Sequence, residues 1–324
     1  MALSLIMIAL KVTLKKFLKS AFMIVVAAFY RFININDVVD LQQKLLDLTK
    51  EQKILGTILV AKEGINATVS GQRSAIDCLK SFLYEKFDYL EYKESFYDKN
   101  PFYRLKVKIK KAILNIGSKL CQPQNIVGSY VNAEDWDKLL LQGDVTVIDV
   151  RNDYEVAIGK FVNAIDPKTR TFSEFANFVK NNLDPKKHKK IAMSCTGGIR
   201  CEVAGSFMKM VGFEEVYHLK GGVLQYLEDT QGKSDLWQGE CFVFDQRVTV
   251  NKNLQKGDFE LCFACRYPLT PENKALSSYE EGVSCEKCFN QTNSEQKKRY
   301  QDRQKQIDLF NKKGLCHLGP QEKY

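Results

Sequence analysis

The stretch that decides the fold runs from Lys190 to Val211 and reads KIAMSCTGGIRCEVAGSFMKMV. Its first five residues are typical of a buried strand, and the residues from Cys201 to Val211 have the apolar spacing of a helix. Between them lies a short loop with two consecutive glycines, and Cys195 stands where the strand ends. Functional loops of parallel sheets lie at the carboxyl ends of strands, so this segment predicts a strand–loop–helix unit with a thiol at its turn.

The residues around this unit continue the alternation of strands and helices between positions 132 and 236. Asn132 can cap a helix that continues to Leu141, and Gly221-Gly222 precedes a last helix. The elements between them are a strand, a helix and a strand, at Val145–Val150, Phe172–Asn181 and Glu215–Leu219. Strands separated by helices predict a parallel α/β sheet that is covered on both faces.

The loop after Cys195 has the composition of an anion site built around sulfur. Inward-pointing N–H groups, the amino end of a helix and the Arg200 charge each lower the pKa of a thiol. A lone cysteine is more often a small core residue, but this setting favours Cys195 and Arg200 as the catalytic residues. The rest of the predicted active-site loop is Thr196, Gly197, Gly198 and Ile199.

Cys201 follows this loop, at or near the start of the helix. It is either a second thiol that resolves a sulfur intermediate on Cys195 or a packed structural residue, and the structural interpretation is favoured.

Residues 23–117 are predicted to form a module of their own with the order strand, helix, strand, strand, helix, strand. Its strands are predicted at Met23–Phe32, Gly56–Ala61, Ala67–Ser70 and Tyr103–Ile109, and its helices at Asp37–Thr49 and Arg73–Phe87. This order indicates a ferredoxin-like arrangement, in which two helices cover one face of an antiparallel sheet.

The last of these strands carries a cation at every second position, at Arg104, Lys106, Lys108 and Lys110. Side chains of a strand alternate between faces, so the cations share one face while Leu105, Val107 and Ile109 are expected to meet the core. One interpretation is a solvated face or an edge protected against aggregation. The other is a surface that binds the phosphate backbone of RNA.

Residues 237–324 hold two Cys-x-x-Cys pairs and a charged helix predicted at Ser294–Lys313. The pairs are Cys262 with Cys265 and Cys285 with Cys288, and residues 266–284 separate them. Two such turns can supply four thiolates to a structural zinc ion; the alternative is a reduced or disulfide-prone cluster without metal. Phe263, Tyr267 and the basic helix give this segment a composition suited to RNA, although zinc ribbons with purely structural roles are common.

The totals are those of a globular protein of two or three domains, with 324 residues, a net charge of +9 and ten cysteines. The charge fits an anionic partner and fits simple solubility equally well. Paired Cys-x-x-Cys turns indicate a reducing compartment, so a cytoplasmic protein is expected. In residues 1–22 the lysines follow a short apolar run, the reverse of a secretory signal, and we interpret them as a dispensable leader; no membrane span is expected.

Three segments resemble the rhodanese domain family. The loop from Cys195 to Arg200 resembles its persulfide-carrying Cys-x-x-Gly-x-Arg loop, and Asp149-Val-Arg151 with Glu155 resembles its Asp-x-Arg-x-x-x-Glu segment. Leu219-Lys-Gly221-Gly222 resembles its closing turn, whereas residues 158–161 depart from its usual His-Ile-x-Gly. In related phosphatases the Cys and the Arg of the loop lie one residue further apart, and the shorter loop here suits a sulfur atom. Asp149 and Arg151 are expected to form a structural pair.

Further motifs extend the resemblance to the bacterial tRNA uridine(34) hydroxylase family over roughly residues 23–313. In order along the chain they are FYRF at 29–32, KEGIN at 62–66, CTGGIRC at 195–201, FVFDQRV at 242–248 and the two Cys-x-x-Cys pairs. This resemblance implies oxygen-dependent formation of 5-hydroxyuridine at the wobble base of tRNA, with Cys195 as the active cysteine, recorded for the family as a persulfide. It implies O2 as a cosubstrate and tRNA, not DNA, as the partner.

Two other functions stay open from the residues alone. One is a sulfurtransferase that passes sulfur from a Cys195 persulfide to an acceptor. The other is an RNA-binding protein with an inactive rhodanese fold, against which the intact Cys195 and Arg200 argue. His188, His218 and His317 form no iron-binding pair in the sequence, so it identifies neither the means of oxygen activation nor the electron donor.

Overall fold

In the computed structural model the described residues are 23–118 and 121–314, and the chain divides into two compact units between Ile113 and Leu114. The segment interpreted as a leader, residues 1–22, lies outside the described residues. Within the described ranges, no helix combines the length and the apolar character needed to cross a membrane.

The first unit is a five-stranded sheet with two helices. Its strands are β1 (Ile24–Phe32), β2 (Leu55–Ala61), β3 (Gly64–Gly71), β4 (Glu91–Tyr97) and β5 (Leu105–Ile109), in the spatial order β4-β1-β3-β2-β5. Its helices are α1 (Val38–Glu51) and α2 (Arg73–Lys86). The antiparallel set β4-β1-β3-β2 with two helices confirms the ferredoxin-like prediction.

Two details of the predicted strands are wrong. The strand predicted at Tyr103–Ile109 is not the fourth strand of the ferredoxin-like set but a fifth, β5, which pairs parallel with β2 at the sheet edge. The fourth strand is β4, which was not predicted because its core-facing side carries Tyr92 and Glu94 in place of aliphatic residues. A carboxylate is tolerated on that side because Arg73 of α2 forms an ion pair with Glu94, with a nitrogen–oxygen distance of 2.6 Å.

The core of this unit lies between the helices and one face of the sheet. Helix α1 begins at its cap Asp37, whose carboxylate accepts hydrogen bonds from the N–H groups of Val39 and Asp40. Its apolar stripe, Leu41 and Leu45, packs on the sheet together with the stripe of α2. On β5 only Val107 is buried as expected; Ile109 is 40% exposed because it lies at the end of an edge strand.

The second unit is built on a parallel sheet of four strands in the order β6-β10-β9-β7. These strands are β6 (Ser129–Val131), β7 (Val145–Asp149), β9 (Lys190–Ser194) and β10 (Glu215–Leu219). Consecutive residues Ile191, Ala192 and Met193 are all fully buried although they point to alternate faces, so the sheet is covered on both sides, as predicted.

The helices of the sheet domain are α3 (Ala133–Leu140), α4 (Asp153–Val156), α5 (Phe175–Asn182), α6 (Ile199–Met210) and α7 (Gly222–Asp229). A 3-10 turn, Phe172–Glu174, precedes α5, where the sequence predicted one continuous helix. Asn132 occupies the N-cap position of α3, but its side chain makes no capping hydrogen bond.

The rest of the second unit consists of short elements and one long helix. The short strands are β8 (Gly159–Phe161), β11 (Trp237–Gly239), β12 (Cys241–Phe242), β13 (Thr249–Val250), β14 (Glu260–Leu261) and β15 (Pro268–Leu269). They form the two-stranded pairs β8-β11, β12-β13 and β14-β15. After α8 (Pro271–Lys274), the chain ends its described part in α9 (Ser294–Lys312), close to the predicted Ser294–Lys313.

Candidate active site

The thiol of Cys195 lies at the carboxyl end of β9, in a loop that closes around it. Cys195 is fully buried, and the backbone N–H of Gly198 donates a hydrogen bond to its Sγ at 3.1 Å. Gly198 has a φ of 100°, a conformation that a residue with a Cβ rarely adopts. A Cβ built on Gly197 would meet nothing within 4 Å, so the outer side of the loop is open.

The Gly221-Gly222 turn supports this loop from the neighbouring strand. Gly222 has a φ of 70°, and a Cβ there would lie 2.5 Å from the carbonyl oxygen of Cys195. The close approach lets the first residues of α7 bind the loop, because the N–H of Val223 donates to the Cys195 carbonyl at 2.8 Å. The glycine pair is therefore a packing requirement of the thiol loop.

Arg200 is held by a buried carboxylate on another element. Its two terminal nitrogens donate to the two oxygens of Glu155 in α4, both at 2.7 Å, and Glu155 is fully buried. Burial works against ionisation of Glu155, but the Arg200 charge and hydrogen bonds outweigh it and lower the pKa of the carboxyl. This bidentate pair fixes a positive charge beside the thiol loop.

The surroundings of Cys195 favour the thiolate. Burial alone raises the pKa of a thiol, but the Cys201 side chain, the Arg200 charge and the N–H groups of Cys201 and Gly198 more than compensate. Together they lower the pKa of Cys195 to about 6. At neutral pH the sulfur is then mostly ionised, which is the nucleophilic form.

Two further thiols lie near Cys195 and stay protonated. Cys201 is fully buried, and burial with the neighbouring Cys195 sulfur raises its pKa, so it acts as a hydrogen-bond donor to Cys195. Cys241 is buried in β12 near Thr196, and burial raises its pKa to about 12. Of the three, Cys195 has the environment of a reactive thiol.

The hairpin that contains residues 242–248 packs against the same loop. In the sequence, only the family resemblance of its FVFDQRV motif drew attention to it. The Thr196 hydroxyl lies 3.5 Å from the Phe242 carbonyl oxygen, and the Arg200 guanidinium lies 5.7 Å from the ring centroid of Phe244. Phe244 is 56% exposed, and the buried pair Asp245–Arg247, 2.6 Å apart, stabilises the turn that carries it. An exposed ring thus lies beside the active-site arginine.

Asp149 and Arg151 form a buried ion pair with each other. Both side chains are fully buried, and Arg151 binds Asp149 at 2.6 and 2.8 Å and the carbonyl of Gly159 at 2.5 Å. Arg151 therefore ties β7 to β8, in agreement with the structural role predicted for this pair.

The four paired cysteines come together as the sequence predicted. Their sulfurs all lie within 4.8 Å of one another, with Cys262–Cys288 at 4.0 Å, Cys265–Cys285 at 3.6 Å and Cys285–Cys288 at 3.8 Å. Zn–S bonds of about 2.3 Å in a tetrahedron separate the sulfurs by roughly 3.8 Å, whereas a disulfide bond is about 2.05 Å. The group can hold a metal ion and is not disulfide-bonded.

No other group of three or more potential metal ligands occurs in the described ranges, 23–118 and 121–314.

The cations predicted as RNA contacts are all exposed and belong to the first unit; they are Arg104, Lys106, Lys108 and Lys110.

These features define the class of the second unit as a rhodanese-like domain. Residues 132–229 match the family described as "Rhodanese-like domain", and residues 24–113 match the "UPF0176 acylphosphatase like domain". An acylphosphatase-like domain of this kind followed by a rhodanese domain is the architecture of the tRNA uridine(34) hydroxylase (UPF0176) family. The resemblance drawn from the motifs is thereby confirmed.

Solved structures also resemble parts of the chain. A rhodanese-like domain from Anabaena sp is 19% identical over 34% of this chain and 78% of that chain, with a TM-score of 0.29. A rhodanese-related protein from Thermoplasma volcanium is 24% identical over 31% and 92%, with a TM-score of 0.25. Reduced CoADR-RHD from Bacillus anthracis is 17% identical over 52% and 28%, with a TM-score of 0.31.

Proposed function

We propose that this protein is a tRNA-modifying enzyme that hydroxylates the wobble uridine to 5-hydroxyuridine with O2, using Cys195 as its active thiol. The observation that carries the proposal is the UPF0176 acylphosphatase-like domain directly before a rhodanese domain whose loop retains Cys195 and Arg200. Cytoplasmic tRNA is the corresponding substrate. The reaction replaces the C5–H bond of uridine by C5–OH; the second oxygen atom leaves as water and requires two electrons and two protons from a donor.

The residues of the loop have separate parts in this proposal. Cys195 supplies an anionic sulfur, and the Gly198 N–H and the Cys201 thiol stabilise its charge. Arg200 contributes a fixed positive charge, whose position Glu155 determines. The same environment stabilises a Cys195 persulfide, because a terminal persulfide sulfur is also anionic at neutral pH.

We assign tRNA binding in part to the cationic side of the first unit. Strand register places Lys93, Ala28, Thr68, Thr57 and Lys106 in one row across all five strands. Their neighbours along the strands form the helix-covered core, so the row lies on the opposite face. Four strand spacings separate the two lysines by roughly 19 Å, and small side chains between them leave room for a nucleic-acid backbone.

The binding test uses the exposed lysines of β5. Replacing Lys106 and Lys108 with Ala should weaken tRNA binding and flatten its dependence on log salt by up to about 2, because fewer counterions are released. The matched control removes Lys50 and Lys86, two exposed lysines on the helical side of the same unit. An equal effect of both variants would mean that only net charge matters and that β5 is a solvated face.

We propose zinc as the metal of the four-cysteine group, in a structural role. Four thiolates leave no open coordination position, and the sulfur distances fit a tetrahedral ion. The ion would hold together a segment whose apolar core has few members besides the cysteines.

The test of the activity is nucleoside mass spectrometry on cells that lack the gene and carry it back on a plasmid, grown with labelled dioxygen. Label is expected in 5-hydroxyuridine with the wild-type gene and absent with Cys195→Ser. Cys78→Ser, which changes a half-buried thiol of the first unit, is the matched control and should restore the label. Full restoration by Cys195→Ser would refute the thiol mechanism.

A sulfurtransferase is the second candidate, favoured by the pKa of about 6 for a thiol enclosed by N–H donors. It requires neither oxygen nor RNA. Turnover of thiosulfate and cyanide by the purified protein, with unchanged 5-hydroxyuridine in the deletion strain, would support it over hydroxylation.

A further inference from the structure

The two cysteine turns at the carboxyl end each present an exposed phenylalanine beside a cation. Phe263 lies within the first turn and is 38% exposed, and Phe289 follows the second turn and is 42% exposed. The Arg266 guanidinium lies 5.4 Å from the Phe263 ring centroid, and the Lys297 Nζ lies 5.2 Å from that of Phe289. Both rings therefore combine an exposed apolar face with a nearby positive charge.

Both rings belong to one small region, because each directly follows a cysteine of the cluster. The sulfurs of those cysteines, Cys262 and Cys288, are 4.0 Å apart. Short turns fixed through their cysteines restrict the backbone beside each ring. Exposed rings on a short, restrained support can serve as stacking platforms for flat ligands.

Helix α9 is attached to this region by polar contacts. Arg303 donates to the carbonyl oxygens of Phe263 and Gly282 at 2.9 and 2.8 Å, and Gln301 donates to Glu280 at 3.1 Å. None of its 19 residues is buried. Its cations outnumber its acids and begin with the consecutive residues Lys297, Lys298 and Arg299. The helix thus adds positive charge next to the two rings rather than apolar packing.

This combination fits single-stranded RNA better than other partners. Unpaired bases stack on aromatic side chains, and neighbouring cations bind the phosphates between them. Bases of a duplex are stacked on each other and cannot use the rings. An apolar protein partner would favour a surface poor in charge, whereas here each ring has a cation close to it.

We propose that the four-cysteine segment and α9 form a binding surface for single-stranded RNA, with unpaired bases stacked on Phe263 and Phe289 and phosphates bound by Lys297, Lys298 and Arg299. Its identification with the loop of a tRNA rests on the proposed function. The surface is separate from the thiol loop and contributes affinity, not chemistry.

The test measures RNA binding by the full-length protein with Cys195→Ser, so that no reaction occurs. The probes are a fluorescein-labelled stem-loop RNA with a seven-nucleotide loop and a blunt duplex of equal length. Phe263→Ala and Phe289→Ala should each weaken binding of the stem-loop by about 5- to 150-fold, the effect of one base–aromatic stack, and leave the duplex unaffected. Leu276→Ala, at a residue of the same segment that is also 42% exposed, is the matched control and should change neither.

The dependence of binding on salt concentration distinguishes the charge contacts from the stacking contacts. Replacing Lys297, Lys298 and Arg299 with Ala should reduce the salt slope of stem-loop binding by about 2, whereas the two phenylalanine variants should keep the wild-type slope. Bound metal and thermal unfolding are measured on every variant to establish that the segment is intact.

Wild-type affinity of the doubly substituted Phe263→Ala, Phe289→Ala protein for the stem-loop would overturn the proposal. So would an equal loss of affinity for the duplex, which would indicate charge alone. The nucleoside assay is independent of both results. Absence of labelled 5-hydroxyuridine would refute the hydroxylase function while leaving ring-dependent RNA binding standing, and the reverse outcome would refute only the surface.

Discussion

The pKa of the Cys195 thiol depends on the Arg200 charge, and we predict that removing this charge makes the thiol less acidic. Removing Arg200 alone would leave Glu155 buried without its partner, at a cost of about 3–5 kcal/mol in stability. The perturbation is therefore double, Arg200→Met with Glu155→Gln, which replaces the buried ion pair by neutral side chains of similar size.

The size of the effect follows from two opposite charges that are removed together. An opposite charge within roughly 4–6 Å lowers a pKa by about 1–3 units, and loss of the Glu155 charge offsets part of the loss of Arg200, so the pKa of Cys195 should rise from about 6 to roughly 7. At pH 6.5 a thiol with a pKa of about 6 is roughly three-quarters ionised, and one with a pKa of about 7 roughly one-quarter. The thiolate fraction at that pH should fall about 3-fold.

The assay is the pH dependence of thiolate absorbance near 240 nm. In each background, the titration of the matching Cys195→Ser protein is subtracted, so that the other cysteines cancel and burial of the sulfur is no obstacle. Arg200→Lys, which keeps the charge, should keep a midpoint close to that of the wild type. A wild-type midpoint near the ordinary thiol value of about 8.5, or an unchanged midpoint in the double variant, would refute the electrostatic account.

Three further predictions concern stability and metal. Because the pKa of Cys195 is lower in the folded than in the unfolded state, its stabilisation is complete above the unfolded pKa and is lost as pH falls through about 6. Between pH 6 and 8 the wild type should gain about 2 kcal/mol over Cys195→Ser in urea unfolding; a constant difference would contradict this. Glu155→Gln alone should cost about 3–5 kcal/mol, and the double variant with Arg200→Met clearly less, measured as a double-mutant cycle; equal losses would show that the pair is not coupled. Protein purified without added metal should contain about one zinc per chain, which Cys285→Ser loses and Cys78→Ser keeps; a metal-free, folded wild type would exclude the ion.

The sequence predicts the strand–loop–helix unit well because its signals are local. Strand β9 begins at Lys190 and ends at Ser194 as predicted, since a run of apolar residues followed by two glycines has few alternative conformations. The four cysteines are equally predictable, because two tight turns specify their own geometry. In each case the residues that decide the structure are neighbours along the chain.

Features that depend on distant partners were not predictable in the same way. Strand β4 was not predicted because its sequence lacks alternating aliphatic residues. Its core-facing side carries Glu94, whose charge is neutralised by Arg73, 21 residues earlier. Glu155 was marked only by a family resemblance, and its role depends on Arg200, 45 residues later. The position of Phe244 beside Arg200 likewise follows from tertiary packing, which no local pattern reports.

The thiol loop does not by itself select between hydroxylation and sulfur transfer, because an acidic, enclosed sulfur serves both. Selection has to come from the elements that bring a substrate to it, and the chain has two candidates, the lysine face of β5 and the rings of the cysteine segment. Substitutions there leave the contacts of Cys195 unchanged, so they should lower 5-hydroxyuridine formation while preserving the thiol titration and any turnover of thiosulfate. Cys195→Ser should abolish all three. The contrary result would be that the RNA-binding variants and Cys195→Ser have the same effect on every readout. Substrate selection would then take place inside the thiol loop and not on the two RNA-binding surfaces.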